Sequence, residues 1–271
     1  QECEMKNLPK YILIASLIFV QSLNQTYPSS KGNDTKVIKE KTFQIAEGKK
    51  INVTCDGGDV MFTPWDKSEV YVKVIGNDNA EEKYDYIFEA NSEEVSVKAE
   101  RKGGWNWFSN ISLKIEVKVP ARFNIYTNTS GGDIKVGGVH GGIYLETSGG
   151  DIWGDRFEGD FYASTSGGDI NLFCSNAKIE ASTSGGDITV EYTGVNQGIE
   201  LETSGGDIEV KVPADFDANA HLETSGGDVD CNLTLNDVKK LSETEIIANI
   251  NKGGKPLIAS TSGGDVSVYK K

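Results

Sequence analysis

Seven copies of Thr-Ser-Gly-Gly-Asp hold the residues of this 271-residue chain whose types and spacing could do chemistry. They are Gly131-Gly132-Asp133, Gly149-Gly150-Asp151, Gly167-Gly168-Asp169, Gly185-Gly186-Asp187, Gly205-Gly206-Asp207, Gly226-Gly227-Asp228 and Gly263-Gly264-Asp265. A glycine pair can bare backbone N–H groups to a phosphate, but such loops open a helix and usually carry a lysine. Here a carboxylate follows the pair and a strand pattern follows the carboxylate, which argues against an anion site. A hard cation such as calcium suits exposed carboxylates better, yet one aspartate per repeat leaves few ligands for an ion that takes six to eight oxygens. The sequence therefore gives the motif no metal and the protein no cofactor; its expected work is structural.

The elements that position these residues follow from their period. The motif aspartates recur at intervals of 18, 18, 18, 20, 21 and 37 residues, and a degenerate copy, Thr-Cys-Asp-Gly-Gly-Asp-Val, places Asp59 far upstream. A fixed period of this length marks stacked repeats. Apolar residues alternate on both sides of the turn, as in Ile143, Leu145 and Thr147 before it and Ile170 and Leu172 after it, which is the pattern of strands with one buried face. Coils this short exclude a βαβ unit, which needs roughly 30 residues or more. The expected fold is all-β: a parallel β-helix, or β-solenoid, with coils of 18–21 residues. In it the glycines supply positive-φ backbone at a tight corner, the aspartate accepts from backbone N–H groups, the threonine points inward and the serine outward.

The rest of the chain is organised around that array. Residues 1–22 read as an upstream extension and a Sec signal peptide, with Lys6 and Lys10 ahead of an apolar run from Tyr11 to Val20 that is short for a bilayer span. Residues 23–39 read as a linker, 40–119 as a strand-rich N-terminal section capping the array as an antiparallel meander, and 120–271 as the solenoid. Within the cap the run from Gly76 to Lys83 reads as a polar turn and Trp65 as core. Cys55, Cys174 and Cys231 have neither disulfide nor zinc spacing and read as small core residues. The net charge of −14 opposes nucleic acid and anionic lipid. The expected protein is exported to the periplasm, the cell surface or the medium, without stable membrane insertion after signal cleavage.

Binding surface is sought among outward residues that differ between repeats. Eleven residues after the motif aspartate stand Tyr144 and Tyr162, preceded in phase by Tyr126 and followed by Glu180, with Asn128, Glu146 and Ser164 alongside. Aromatic side chains beside polar ones can stack on sugars or anchor a protein, or simply stabilise the sheet. Trp105 and Trp107, two apart in a turn, form either a contact tip or a hydrophobic lid. The two histidines, His140 and His221, have no nucleophile spaced to use them, which argues against catalysis.

Three features carry a resemblance to a known family: the iterated Thr-Ser-Gly-Gly-Asp-Ile, the segment Val117-Lys118-Val119-Pro120-Ala121 that leads into it, and the early Gly57-Gly58-Asp59-Val60 with Pro64-Trp65-Asp66-Lys67-Ser68-Glu69-Val70. Over residues 40–271 the chain resembles the bacterial β-strand-repeat "putative adhesin" family, a domain of unknown function. The resemblance implies a β-solenoid at a surface or envelope, with adhesion as its label and no catalytic residues. The resulting expectation is a non-enzymatic surface binding or scaffold protein whose partner is a surface protein or glycan. The alternatives are a carbohydrate-active enzyme on the same scaffold and an envelope-stress accessory protein that binds another protein.

Overall fold

The computed structural model describes residues 34–103 and 110–271, and Thr35–Lys271 form one compact unit. The signal-peptide reading, most of the linker reading, and Trp105 and Trp107 lie outside the described residues. In chain order the first elements are β1 (Lys36–Gln44), β2 (Lys50–Cys55), β3 (Asp59–Trp65), β4 (Glu69–Gly76), α1 (Asp78–Lys83), β5 (Tyr84–Ala90), β6 (Glu94–Arg101) and β7 (Leu113–Pro120). The middle holds β8 (Asn124–Thr129), β9 (Ile134–Gly137), β10 (Ile143–Thr147), β11 (Ile152–Ser164), β12 (Ile170–Thr183), β13 (Ile188–Thr193), β14 (Ile199–Thr203) and β15 (Ile208–Val212). The last are β16 (Ala218–Thr224), β17 (Val229–Cys231), β18 (Leu235–Leu241), β19 (Glu245–Ile250), β20 (Pro256–Thr261) and β21 (Val266–Lys270).

These strands build two parallel walls joined by the glycine corners, so the β-solenoid expected from the period is the fold. The wall ahead of the corner runs β6, β2, β8, β10, the end of β11, the end of β12, β14, β20, β16. The wall after it runs β7, β3, β9, the start of β11, the start of β12, β13, β15, β21, β17. Register is held residue for residue, because a one-residue slip would turn every inward side chain to water. Ile134, Ile152, Ile170, Ile188, Ile208 and Val266 thus lie above one another, each 0% exposed. Full burial of each such side chain contributes about 1.5–3 kcal/mol.

Chain order and stack order differ at both ends. The coil of β2 and β3 sits between that of β6 and β7 and that of β8 and β9. At the other end the coil of β20 and β21 sits between that of β14 and β15 and that of β16 and β17. Antiparallel strands then cover three of the four outer strands: β5 on β6, β4 on β7 with β1 beyond it, and β19 on β16 with β18 beyond it. Open edges would otherwise expose unpaired backbone groups to another chain. The N-terminal section is therefore not an antiparallel meander; it supplies two parallel coils as well as three capping strands. Two further expectations give way here. β1 begins inside the stretch read as linker, and residues 78–83 form a short helix because the Asn77 side chain caps it by accepting from the Ala80 N–H at 3.0 Å.

The corner itself is a fastener between coils. In the order Asp59, Asp133, Asp151, Asp169, Asp187, Asp207, Asp265, Asp228, each aspartate but the last accepts, through Oδ1, the backbone N–H of the next, at 2.8–3.1 Å. The inward threonines span the same junction. Thr165 Oγ1, for example, donates to the Gly150 carbonyl at 3.0 Å and accepts from the Gly168 N–H at 3.4 Å.

The glycines have a different cause from the one expected. None of the seven pairs takes a φ between +20° and +160°; only Gly57 and Gly58 of the degenerate copy do, at +150° and +124°. What the second glycine provides is close approach. A Cβ there would lie 2.0–2.3 Å from the carbonyl oxygen of its counterpart on the next rung, in all seven copies. The first glycine is open, with nothing nearer than 3.4 Å except at Gly226, where the distance is 3.0 Å.

Candidate binding face

The wall ahead of the corner turns alternate residues outward, and parallel register lines them up as rows across the stack. In one row stand Asn52, Tyr126, Tyr144, Tyr162, Glu180, Glu200, Ile258 and His221. Tyr126 and Tyr144 are 39% and 38% exposed, and their rings lie 4.8 Å apart at 2°. Tyr144 and Tyr162 are 6.3 Å apart at 31°. The structure thus brings the three predicted tyrosines together.

Their geometry decides what they can do. Tyr126 and Tyr144 cover one face of each other's ring, and the Lys50 ammonium stands 6.0 Å from the Tyr126 ring. The stripe offers ring edges and phenolic hydroxyls rather than free ring faces, so it suits hydrogen bonding and edge contacts better than stacking on a sugar. The neighbouring row adds polar groups that already bond across rungs: Asn128 Nδ2 donates to Glu146 Oε2 at 2.9 Å and Ser182 to Ser164 at 3.2 Å. Lys178 pairs with Glu180 at 2.6 Å, and exposed Glu200 and Glu202 carry the charge onward. The face is therefore phenolic at the three tyrosines and anionic at the rungs of Glu180, Glu200 and Glu202 that follow.

Features on the other sides escaped the sequence reading. Trp65 is not core: it is half-buried, its indole N–H donates to the Glu69 carbonyl at 2.8 Å, and the ammonium groups of Lys67 and Lys118 lie 4.7 and 5.7 Å from its ring. Trp153 is packed under Lys135 Nζ at 4.1 Å, and Phe173 is 42% exposed. Both are outward by the same parity that singled out the tyrosines. Beside Phe173 lies a groove of about 440 Å³ bordered by His140, Arg156, Glu158, Glu191 and Lys271. Arg156 there has a φ of +49°, which a side chain seldom adopts.

That groove does not form a catalytic relay. Ser175 donates to Glu158 at 3.1 Å, and His140 Nδ1 faces the same carboxylate at 3.6 Å. The acid thus stands between serine and histidine, whereas a nucleophile needs the base beside its own hydroxyl. The cysteines offer no nucleophile either. Burial pushes the Cys55 thiol up to about 11 and the Cys174 thiol up to about 12, and Cys231 also upward. All three are unpaired, with Cys55 and Cys174 buried and Cys231 half-buried.

Residues 162–269 match the Toastrack family, DUF4097. The Toastrack match begins at the third tyrosine and runs through the interleaved C-terminal coil, so the resemblance read from the repeats has independent support over that region. No curated protein matches the chain. Among solved structures, a putative adhesin of Bacteroides fragilis is 15% identical, aligned over 86% of this chain and 97% of its own, with a TM-score of 0.46. A putative cell adhesion protein of Clostridium sporogenes is 14% identical over 87% and 100%, with a TM-score of 0.40. A putative lipid binding protein of Parabacteroides distasonis is 15% identical over 85% and 96%, with a TM-score of 0.30. No helix among the described residues is long and apolar enough to cross a membrane.

Proposed function

We propose that this chain is an exported, non-enzymatic binding scaffold of the adhesin type, acting at a cell surface or in the envelope. The observation that carries this reading is the in-register row Tyr126–Tyr144–Tyr162, held rigidly on a wall whose repeated residues are committed to the corner. Because the first two rings cover one another, the partner is engaged through phenolic hydroxyls and ring edges, and the carboxylates along the same wall favour a cationic or hydroxyl-rich surface. A protein or the hydroxyl groups of a glycan both meet that description. The rest of the wall keeps the row straight, so affinity comes from preorganisation as much as from any single contact.

The test uses the secreted form of the chain on a glycan array and on intact bacterial surfaces, beside the triple variant Tyr126→Ser, Tyr144→Ser, Tyr162→Ser. Retention is expected to fall at least about tenfold while the melting temperature moves by only a few degrees, as for exposed cross-strand pairs. Equal retention by both proteins would remove the row from the function. Release of shortened products from any glycan would return the carbohydrate-active enzyme to first place.

A further inference from the structure

The row that carries the tyrosines ends, at the C-terminal cap, on His221, which stands beside two carboxylates. His221 and Glu223 are two apart on β16 and share its outward face. Glu245 on β19 lies directly opposite Glu223 in the antiparallel register. One donor atom from each of the three comes within 4.8 Å of the others. His221 Nε2 is the informative atom. It is buried without a hydrogen-bond partner although the side chain as a whole is 44% exposed, because it faces Glu223 Oε2 at 3.4 Å and Glu245 Oε1 at 3.6 Å.

Those distances are long for hydrogen bonds, which for N–H···O fall at about 2.7–3.2 Å. They match the separation of two ligands across a tetrahedral ion, about 3.4 Å when metal–ligand bonds are about 2.1 Å. Ile247 and Ile258 stand in register with His221 on either side, so the imidazole is flanked by apolar neighbours. Beyond Glu223 and Glu245 opens a polar cleft of about 310 Å³, lined by Glu202 and by threonines and serines such as Thr244 and Ser260, which leaves room for water as a further ligand. Lys240 binds the other oxygen of Glu245, which leaves Oε1 turned toward His221.

We propose that His221, Glu223 and Glu245 bind one divalent ion of the zinc class and that the ion pins the β18–β19 hairpin to the last rung of the solenoid. One nitrogen and two carboxylate oxygens, with a fourth position open to water, suit zinc and its transition-metal neighbours. Calcium is disfavoured, since it seeks six to eight oxygens and no nitrogen. The site is independent of the tyrosine row, and its loss would leave the binding reading intact.

Titration calorimetry of the metal-free chain with zinc alone, at pH 7.5 in a non-coordinating buffer, tests it. One ion per chain is expected, with affinity weakened at least about tenfold by His221→Asn and by Glu223→Gln. His140→Asn, which removes the other histidine of the chain, should leave affinity unchanged. The melting temperature should rise by roughly 5–10 °C at zinc about 100-fold above Kd, and only when His221 is present. Cobalt in place of zinc should give the visible bands of a tetrahedral ion, and calcium should give no shift. Absence of zinc binding, or binding that survives both His221→Asn and Glu223→Gln, overturns the proposal. So does a melting temperature that follows pH but not zinc, which would make the cluster a histidinium ion pair only.

Discussion

The middle coils and the two ends of this solenoid are fastened by the same bonds but ordered by different rules. In the middle, the Asp187 N–H reaches Asp169 at 2.9 Å and Thr183 reaches the Gly168 carbonyl at 2.9 Å, across 18 and 15 residues. At the C-terminal end, the Asp265 N–H reaches Asp207 at 2.8 Å and Thr261 reaches the Gly206 carbonyl at 2.9 Å, across 58 and 55 residues. The geometry is the same, so a corner carries no record of which corner it must meet. Closing the longer loop costs only about 1 kcal/mol more. That is small beside a rung's buried side chains, so interleaving is thermodynamically cheap. Its benefit is that β16 moves to the outside of the stack, where the β18–β19 hairpin that follows it in the chain can cover its edge.

The largest test of this difference removes residues 256–271. Were coils stacked in chain order, the loss would shorten the array by one rung. With β20 and β21 between two other coils, it leaves a gap with two open edges, and a local loss of more than about 5 kcal/mol is expected, enough to unfold the coil of β16 and β17 with its hairpin. Hydrogen exchange should then show protection lost in β16 to β19 while the middle coils keep theirs. The second test compares glycines within one corner. Gly168→Ala is expected to cost at least about 3 kcal/mol, since its Cβ would lie 2.0 Å from the Gly150 oxygen, and Gly167→Ala at most about 1 kcal/mol. Denaturant titrations of the two variants read the difference.

A smaller effect checks that the fasteners of the two regions are equivalent. Thr165→Val in the middle leaves a glycine carbonyl and one glycine N–H without the threonine hydroxyl, and Thr261→Val at the interleaved end leaves a glycine carbonyl and two glycine N–H groups, one of them held only at 3.4 Å. Each should cost about 1–3 kcal/mol, and by nearly the same amount. The smallest expected change is at Asp59, where the aspartate row ends. Burial raises its carboxyl above the ordinary value of 3.8, against the pull of Lys135 and Lys114. A carboxyl raised in the folded state binds more protons folded than unfolded, so stability is lost as pH climbs through that window. Asp59→Asn keeps an oxygen for the Asp133 N–H and should therefore raise the melting temperature slightly at pH 7, with no gain once the pH falls below the ordinary carboxylate range.

Much of this was legible in the sequence because repetition is a strong signal. The period gave the solenoid, the alternation put Thr147 and Thr165 inside, and the same parity aligned Tyr126, Tyr144 and Tyr162. The order of the coils was not legible, since identical corners are interchangeable neighbours. Nor was the reason for the second glycine, because it depends on how near the backbone of the next rung comes. At the tyrosines, sequence gave adjacency but not ring orientation, which turns a possible sugar platform into a line of hydroxyls and edges. The His221 cluster was hidden for a topological reason: Glu245 arrives beside Glu223 only through the β18–β19 hairpin. Trp153 and Phe173 obeyed the rule that found the tyrosines, and applying it to the wall after the corner would have found them.

The most direct measurement of the central claim, that the stack interleaves its last coil, is a set of cysteine pairs. Glu202 is in register with Ser260, and Ser260 with Glu223. Adjacent rungs are about 4.8 Å apart and alternate rungs about 9.6 Å, while a disulfide needs Cα atoms within about 7 Å. Under mild oxidation, Glu202→Cys with Ser260→Cys and Ser260→Cys with Glu223→Cys are expected to cross-link, and Glu202→Cys with Glu223→Cys to remain reduced. Rapid cross-linking of the 202–223 pair, with none between 202 and 260, would mean that the coils stack in chain order after all.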